Sequence, residues 1–206
     1  MLGLLTRRRW PRPATRPHSV RLALEALETR DLMAAPVITS FTATTLPGHI
    51  ARLTGTVTDE NPATVHIRFS GAASGDTTVD ATGHFSFSTT NAVLGSVTAT
   101  GLDQENLSAT AMSTLSSSAP VITNFKAIMG SFGFWTFTGK VTDEDPSHCV
   151  VKFSGLPELE GKTTTVALDG TFSYTVQLQP GETGMVLATA TDCWGLTSAE
   201  AEAVVS

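Results

Sequence analysis

"GTVTDENPATVHIRFSG" runs from Gly55 to Gly71, and "GKVTDEDPSHCVVKFSG" runs from Gly139 to Gly155. Nine of the 17 positions are identical, and the two stretches lie 84 residues apart. The repeat extends in both directions. Ala35-Pro36-Val37-Ile38-Thr39 returns as Ala119-Pro120-Val121-Ile122-Thr123 at the same offset. Gly83-His84-Phe85-Ser86-Phe87 returns as Gly170-Thr171-Phe172-Ser173-Tyr174 at offset 87, so three residues are inserted between the paired segments. Val97, Ala99, Thr100, Asp103 and Leu107 match Val186, Ala188, Thr189, Asp192 and Leu196 at offset 89. Insertions that fall between apolar runs mark loops. The chain is therefore a tandem of one module, each copy large enough to bury its own core.

Within a copy the apolar residues alternate. Trp135, Phe137, Gly139 and Val141 share one face of a strand, as do their counterparts Ala51, Leu53, Gly55 and Val57. Short alternating runs punctuated by turn signals predict about seven strands per copy, an all-β sandwich. In the second copy the expected strands are Val121–Ala127, Phe134–Thr142, Cys149–Ser154, Thr163–Leu168, Thr171–Leu178, Gly184–Thr191 and Leu196–Val205. Asp169-Gly170 predicts a hairpin between the fourth and fifth. Trp194-Gly195 and Glu105-Asn106 turn between the sixth and seventh, because Gly and Asn accept positive φ. The expected organisation is a segment over 1–34, one sandwich over 35–118 and a second over 119–206.

Charge separates the head from the body. The net charge is −6. Residues 1–34 hold seven arginines against three acidic residues, whereas the remainder holds six basic and sixteen acidic residues. An acidic body repels phosphate backbones, which argues against nucleic acid as a partner. No apolar run approaches the ~18 residues that span a bilayer, so no transmembrane helix is expected. The basic head reads as a targeting-like segment. Its start is rich in Arg and Pro and without periodicity, and Ser19 can cap a short helix from Val20 to about Met33. Within it "LEALETRDLMA", Leu24–Ala34, resembles the LEPR-XLL segment of large bacterial surface and exported proteins. Leu27, Glu28, Arg30 and Leu32 match that pattern; Thr29 and Met33 depart from it. The alternative is an amphipathic helix with no address function.

The runs "VTATGLDQENLSATA" and "VLATATDCWGLTSAEA", with the G-x-V-T-D-E-x-P corner, resemble the tandem Ig-like repeats of bacterial proteins over about residues 35–206. The resemblance implies two Ig-like sandwiches acting as spacers or adhesive modules of secreted or cell-surface proteins. It also implies that the third and sixth strands are antiparallel neighbours. Cys149 opens the third and Cys193 closes the sixth, so a disulfide between them is expected in an oxidising compartment, worth ~3–4 kcal/mol. Two free thiols are the alternative. The same topology gathers Asp59, Glu60 and Asp103 at one tip of the first copy, and Asp143, Glu144, Asp145 and Asp192 at that tip of the second. Such oxygens could hold a structural Ca²⁺, as in cadherin-like modules. The competing reading is turn chemistry, since Asp and Asn before Pro bond nearby backbone N–H groups. The second tip should face the first sandwich near Ser116-Ser117-Ser118, where Trp194 either contacts a partner or sugar or packs on its neighbour.

Enzyme signatures are absent. There is no G-x-S-x-G, H-E-x-x-H, P-loop or Rossmann glycine pattern, and none of the five histidines recurs in both copies. The expectation is a non-catalytic extracellular Ig-like tandem without a cofactor other than structural calcium, its partners being other surface proteins or polysaccharide. A calcium-binding or carbohydrate-contacting module is the second reading.

Overall fold

A computed structural model describes residues Met33–Ser206. Leu27, Glu28, Arg30 and Leu32 of the LEPR-XLL-like motif lie outside the described residues. Among those described, no helix is long and apolar enough to cross a membrane.

The described chain is two tandem Ig-like β-sandwiches with one topology. In sandwich 1, β1 (Val37–Leu46), β2 (Ile50–Thr58) and β5 (His84–Thr89) form one sheet in the order β1-β2-β5. The facing sheet is β4-β3-β6-β7, built from β3 (His66–Ala73), β4 (Gly75–Thr78), β6 (Ala92–Leu102) and β7 (Ser108–Leu115). Sandwich 2 repeats this with β8 (Val121–Met129), β9 (Phe134–Thr142) and β12 (Thr171–Gln177) in the order β8-β9-β12. Its second sheet, β11-β10-β13-β14, uses β10 (Val150–Ser154), β11 (Thr163–Thr165), β13 (Gly184–Thr191) and β14 (Ala201–Val205). Every pairing is antiparallel.

The repeated phenylalanines explain why both copies close in the same way. Phe41, Phe69, Phe85 and Phe87 meet inside sandwich 1 with centroids 5.5–6.2 Å apart. Phe125, Phe153, Phe172 and Tyr174 take the same places in sandwich 2 at 5.3–6.3 Å. Gly55 and Gly139 interrupt the inward face of the second strand because that ring lies on the backbone. A Cβ at Gly139 would stand 2.6 Å from the Phe172 ring.

Two strands are shorter than the alternation suggested. Asp169-Gly170 does form a tight turn, with Thr171 N and Oγ1 donating to Asp169 Oδ1 at 2.9 and 2.7 Å. It is not a hairpin within one sheet, because β11 pairs with β10 and β12 pairs with β9. The chain crosses between sheets there, which ends β11 at Thr165. The seventh strand starts at Ala201 instead of Leu196. Ser198 is turned inward before it, donating its N–H to Ala190 O at 2.8 Å and accepting from Ala190 N at 2.9 Å through Oγ.

Candidate functional site

The repeated acidic corner works in the same way in both copies. After β2 and after β9 the chain makes one 3₁₀ turn, Pro62–Thr64 and Pro146–His148. Asp59 Oδ1 accepts Asn61 N at 2.8 Å, and Asp143 Oδ1 accepts Asp145 N at 2.8 Å. Such Asx bonds fix the direction in which the chain enters the third strand. The glutamates reach further. Glu60 Oε1 accepts Ala34 N at 2.6 Å and Glu144 Oε1 accepts Ser118 N at 2.9 Å, which ties each corner to the residue preceding the Ala-Pro-Val-Ile-Thr start of its own module. The aspartates that end the sixth strands close the next turn. Asp103 Oδ1 accepts Leu107 N at 2.8 Å, and Asp192 Oδ1 accepts Trp194 N at 2.9 Å and Leu196 N at 2.7 Å. Asn106 (φ 64°) and Gly195 (φ 83°) take the left-handed positions of these two turns, as their chemistry predicts.

One oxygen of each of these aspartates is thus bound to its own loop. Three of the other oxygens have no partner. Asp143 Oδ2 and Asp192 Oδ2 are buried without a partner, and Asp192 as a whole is only 7% exposed. Burial raises the Asp143 carboxyl above its ordinary range, with the charges of Glu144 and Asp192 adding to it. Asp59 Oδ2 is also buried without a partner. Among the described residues, no group of three or more His, Cys, Asp or Glu side chains is placed to hold a metal ion.

Cys149 and Cys193 form no bridge; both are free thiols. The register explains why. β10 pairs β13 with Val150 opposite Thr191, so the next step outward places Asp192, and not Cys193, across from Cys149. Side chains alternate along a strand, so a one-residue offset sends the two sulfurs to opposite faces. Cys149 points into the core, its thiol 3.7 Å from Asp145 O, and Cys193 lies on the outward side beside His49. Burial, and then the Asp143 charge, pushes the Cys149 thiol up to about 12.

Asp145 belongs to the junction between the sandwiches. Its Oδ2 accepts Gly48 N, from the β1–β2 hairpin of sandwich 1, at 2.8 Å. Its carboxylate also takes His148 Nδ1 at 2.7 Å and Ser147 Oγ at 3.1 Å. Burial alone would raise the Asp145 pKa, but these bonds outweigh it and hold the carboxyl below its ordinary value. Trp194 covers the same hairpin. Its ring lies 4.3 Å from that of His49, which is held by its Nε2–H donating to Ala92 O at 2.9 Å, and the indole packs against the sandwich 1 core. The hairpin Thr45–Ile50 and His49 were not identified from the sequence. The signal in the sequence was the Pro47-Gly48 turn dipeptide; Gly48 and His49 take positive φ (77° and 62°).

No protein-family model matches the chain, and the search of curated proteins found no match. Solved structures resembling it include the fibronectin(III)-like modules of Clostridium thermocellum CbhA, at 14% identity and a TM-score of 0.35, with 82% of this chain and 92% of that one covered. Another is the apo structure of Bacteroides uniformis beta-glucuronidase 3, at 15% identity and a TM-score of 0.28, where the match covers 80% of this chain and 23% of that one. The sheet order, not these likenesses, carries the fold assignment.

Proposed function

We propose that the chain is a non-catalytic Ig-like tandem of an extracellular or cell-surface protein, acting as a spacer or adhesion module. The observation that carries this reading is where the polar chemistry goes. The buried and bonded carboxylates at the tips hold turns, module starts and the junction, so they support geometry. A spacer needs its modules held in fixed relation. The Asp145–Gly48 bond and the Trp194–His49 contact supply that. The test is labelling of intact cells with an antibody raised against the purified chain. Label on intact cells is expected; label that appears only after permeabilisation overturns the surface assignment.

A second reading, a divalent cation at the sandwich 2 tip, draws on the unpartnered Asp143 Oδ2 and Asp192 Oδ2. Calcium takes six to eight oxygens, and two free carboxylate oxygens fall well short of that. The competing reading is turn chemistry alone, with burial holding the Asp143 carboxyl above its ordinary value. Melting in calcium against chelator separates the two. A rise of several degrees in calcium supports the cation, and an unchanged melt supports turn chemistry alone.

A further inference from the structure

The two copies of the module differ at their trailing tips, the ends carrying the first hairpin of each sandwich. In sandwich 1 that hairpin, Thr45–Ile50, is covered by the leading tip of sandwich 2, with Gly48 N on Asp145 and His49 against Trp194. In sandwich 2 the matching hairpin is uncovered. It turns through Phe132 (φ 58°) and Gly133 (φ 75°), closed by Phe134 N donating to Ser131 O at 3.2 Å. Phe132 is 89% exposed and Met129 is 68% exposed. A phenylalanine in the left-handed region is uncommon and sterically disfavoured, and here its ring gains no burial in return. Beside it lies a cavity of about 640 Å³ lined by Met129, Phe132, Trp135, Leu178 and Pro180.

The opposite end of the molecule is also partly apolar. At the leading tip of sandwich 1, Met33, Leu102 and Leu107 are exposed. Asn61 stands there where Asp145 stands in sandwich 2, and no bond occupies its side-chain amide among the described residues.

We infer that the trailing tip of sandwich 2 docks on the leading tip of sandwich 1 of a second copy of this chain, continuing between molecules the contact that joins the two sandwiches within one. Phe132 N takes the place of Gly48 N and donates to Asn61 Oδ1. Phe132 and Met129 cover Leu102 and Leu107. His49 and Trp194 have no counterparts in this contact, because Gly133 and Glu105 stand in their places, so apolar burial replaces the ring pair. A contact between unlike surfaces leaves one tip free on each added copy, and with the two tips at opposite ends of the chain it adds copies in a line. The inference holds whatever the chain's location.

Sedimentation of the full chain over a range of concentrations tests it. The weight-average mass is expected to climb from the monomer value of 21.6 kDa past the dimer without a plateau. Phe132→Asp, at an exposed position where Asp tolerates the left-handed backbone, is expected to return a monomer with an unchanged melt. Leu102→Glu at the other tip is expected to do the same. Each variant keeps one intact tip, so an equal mixture of the two is expected to form dimers and nothing larger. A wild-type chain that stays monomeric at all concentrations overturns the inference. So does a mixture that stays monomeric while the wild type associates, and so does either variant pairing with itself, because the contact then joins like tips.

Discussion

Asp143→Asn is expected to stabilise the protein, although it removes a carboxylate from a repeated motif. Asp143 Oδ1 accepts Asp145 N at 2.8 Å, and an asparagine amide oxygen keeps that bond. Oδ2 is buried with no partner, as is Oδ2 of Asp192. The asparagine replaces the first with an N–H₂ donor and removes one negative charge from beside Asp192. A hydrogen bond to a charged group contributes about 1.5–3 kcal/mol, and part of that is offset by weakening the charge-assisted bond to Asp145 N. The net gain is about 1–2 kcal/mol at pH 7. For a chain of this size each kcal/mol moves the melting temperature by about 2–4 °C. The gain depends on pH with a defined sign. Burial raises the folded pKa of Asp143 above its ordinary 3.8. The wild-type penalty is therefore present in full above the folded pKa and absent below 3.8. Thermal melts of both proteins between pH 3 and 8 should show the advantage of the variant shrinking as the pH falls. A variant that melts lower than wild type at pH 7, or by the same margin at every pH, refutes the reasoning.

Other substitutions probe the rest of the account. Gly139→Ala forces a methyl to within 2.6 Å of the Phe172 ring and should cost about 1–3 kcal/mol of stability in a chemical denaturation curve. Asp145→Ala removes the acceptor of Gly48 N and should cost about 1.5–3 kcal/mol, with Trp194 fluorescence shifting to the red as the junction loosens. In the wild type the contribution of Asp145 is present above its ordinary 3.8 and lost as pH falls through its lowered folded pKa, so Trp194 emission should redden only in acid. Thiol titration should find Cys149 inert in the native protein and two reactive thiols in denaturant, and reductant should leave the melt unchanged.

The sequence carried the architecture because the module occurs twice. Matching Phe69 and Phe85 to Phe153 and Phe172 at changing offsets placed the loops as well as the strands. The corner was legible as turn chemistry for the same reason, since Asp before Asn or Asp and then Pro bonds its own backbone wherever it stands. The disulfide was misjudged by one position. The topology rightly brought the start of the third strand beside the end of the sixth. The register, which decides whether Cys193 or Asp192 faces Cys149, depends on how the strands slide, and no local signal fixes it. The junction was half legible. Trp194 at the second tip pointed to it, but its partner His49 has no counterpart in the second copy, so the repeat could not reveal it. The long-range bonds of Glu60 and Glu144 join residues 26 apart in sequence, beyond the reach of any local pattern.

The central claim is that the acidic tip of sandwich 2 fixes one sandwich against the other. Residual dipolar couplings from backbone amides of the weakly aligned protein test it most directly. A single alignment tensor fitting residues 35–115 and 121–205 together, and splitting into two in Asp145→Ala, is the predicted result. Two different tensors in the wild type would mean that the sandwiches move independently, and the claim would fail.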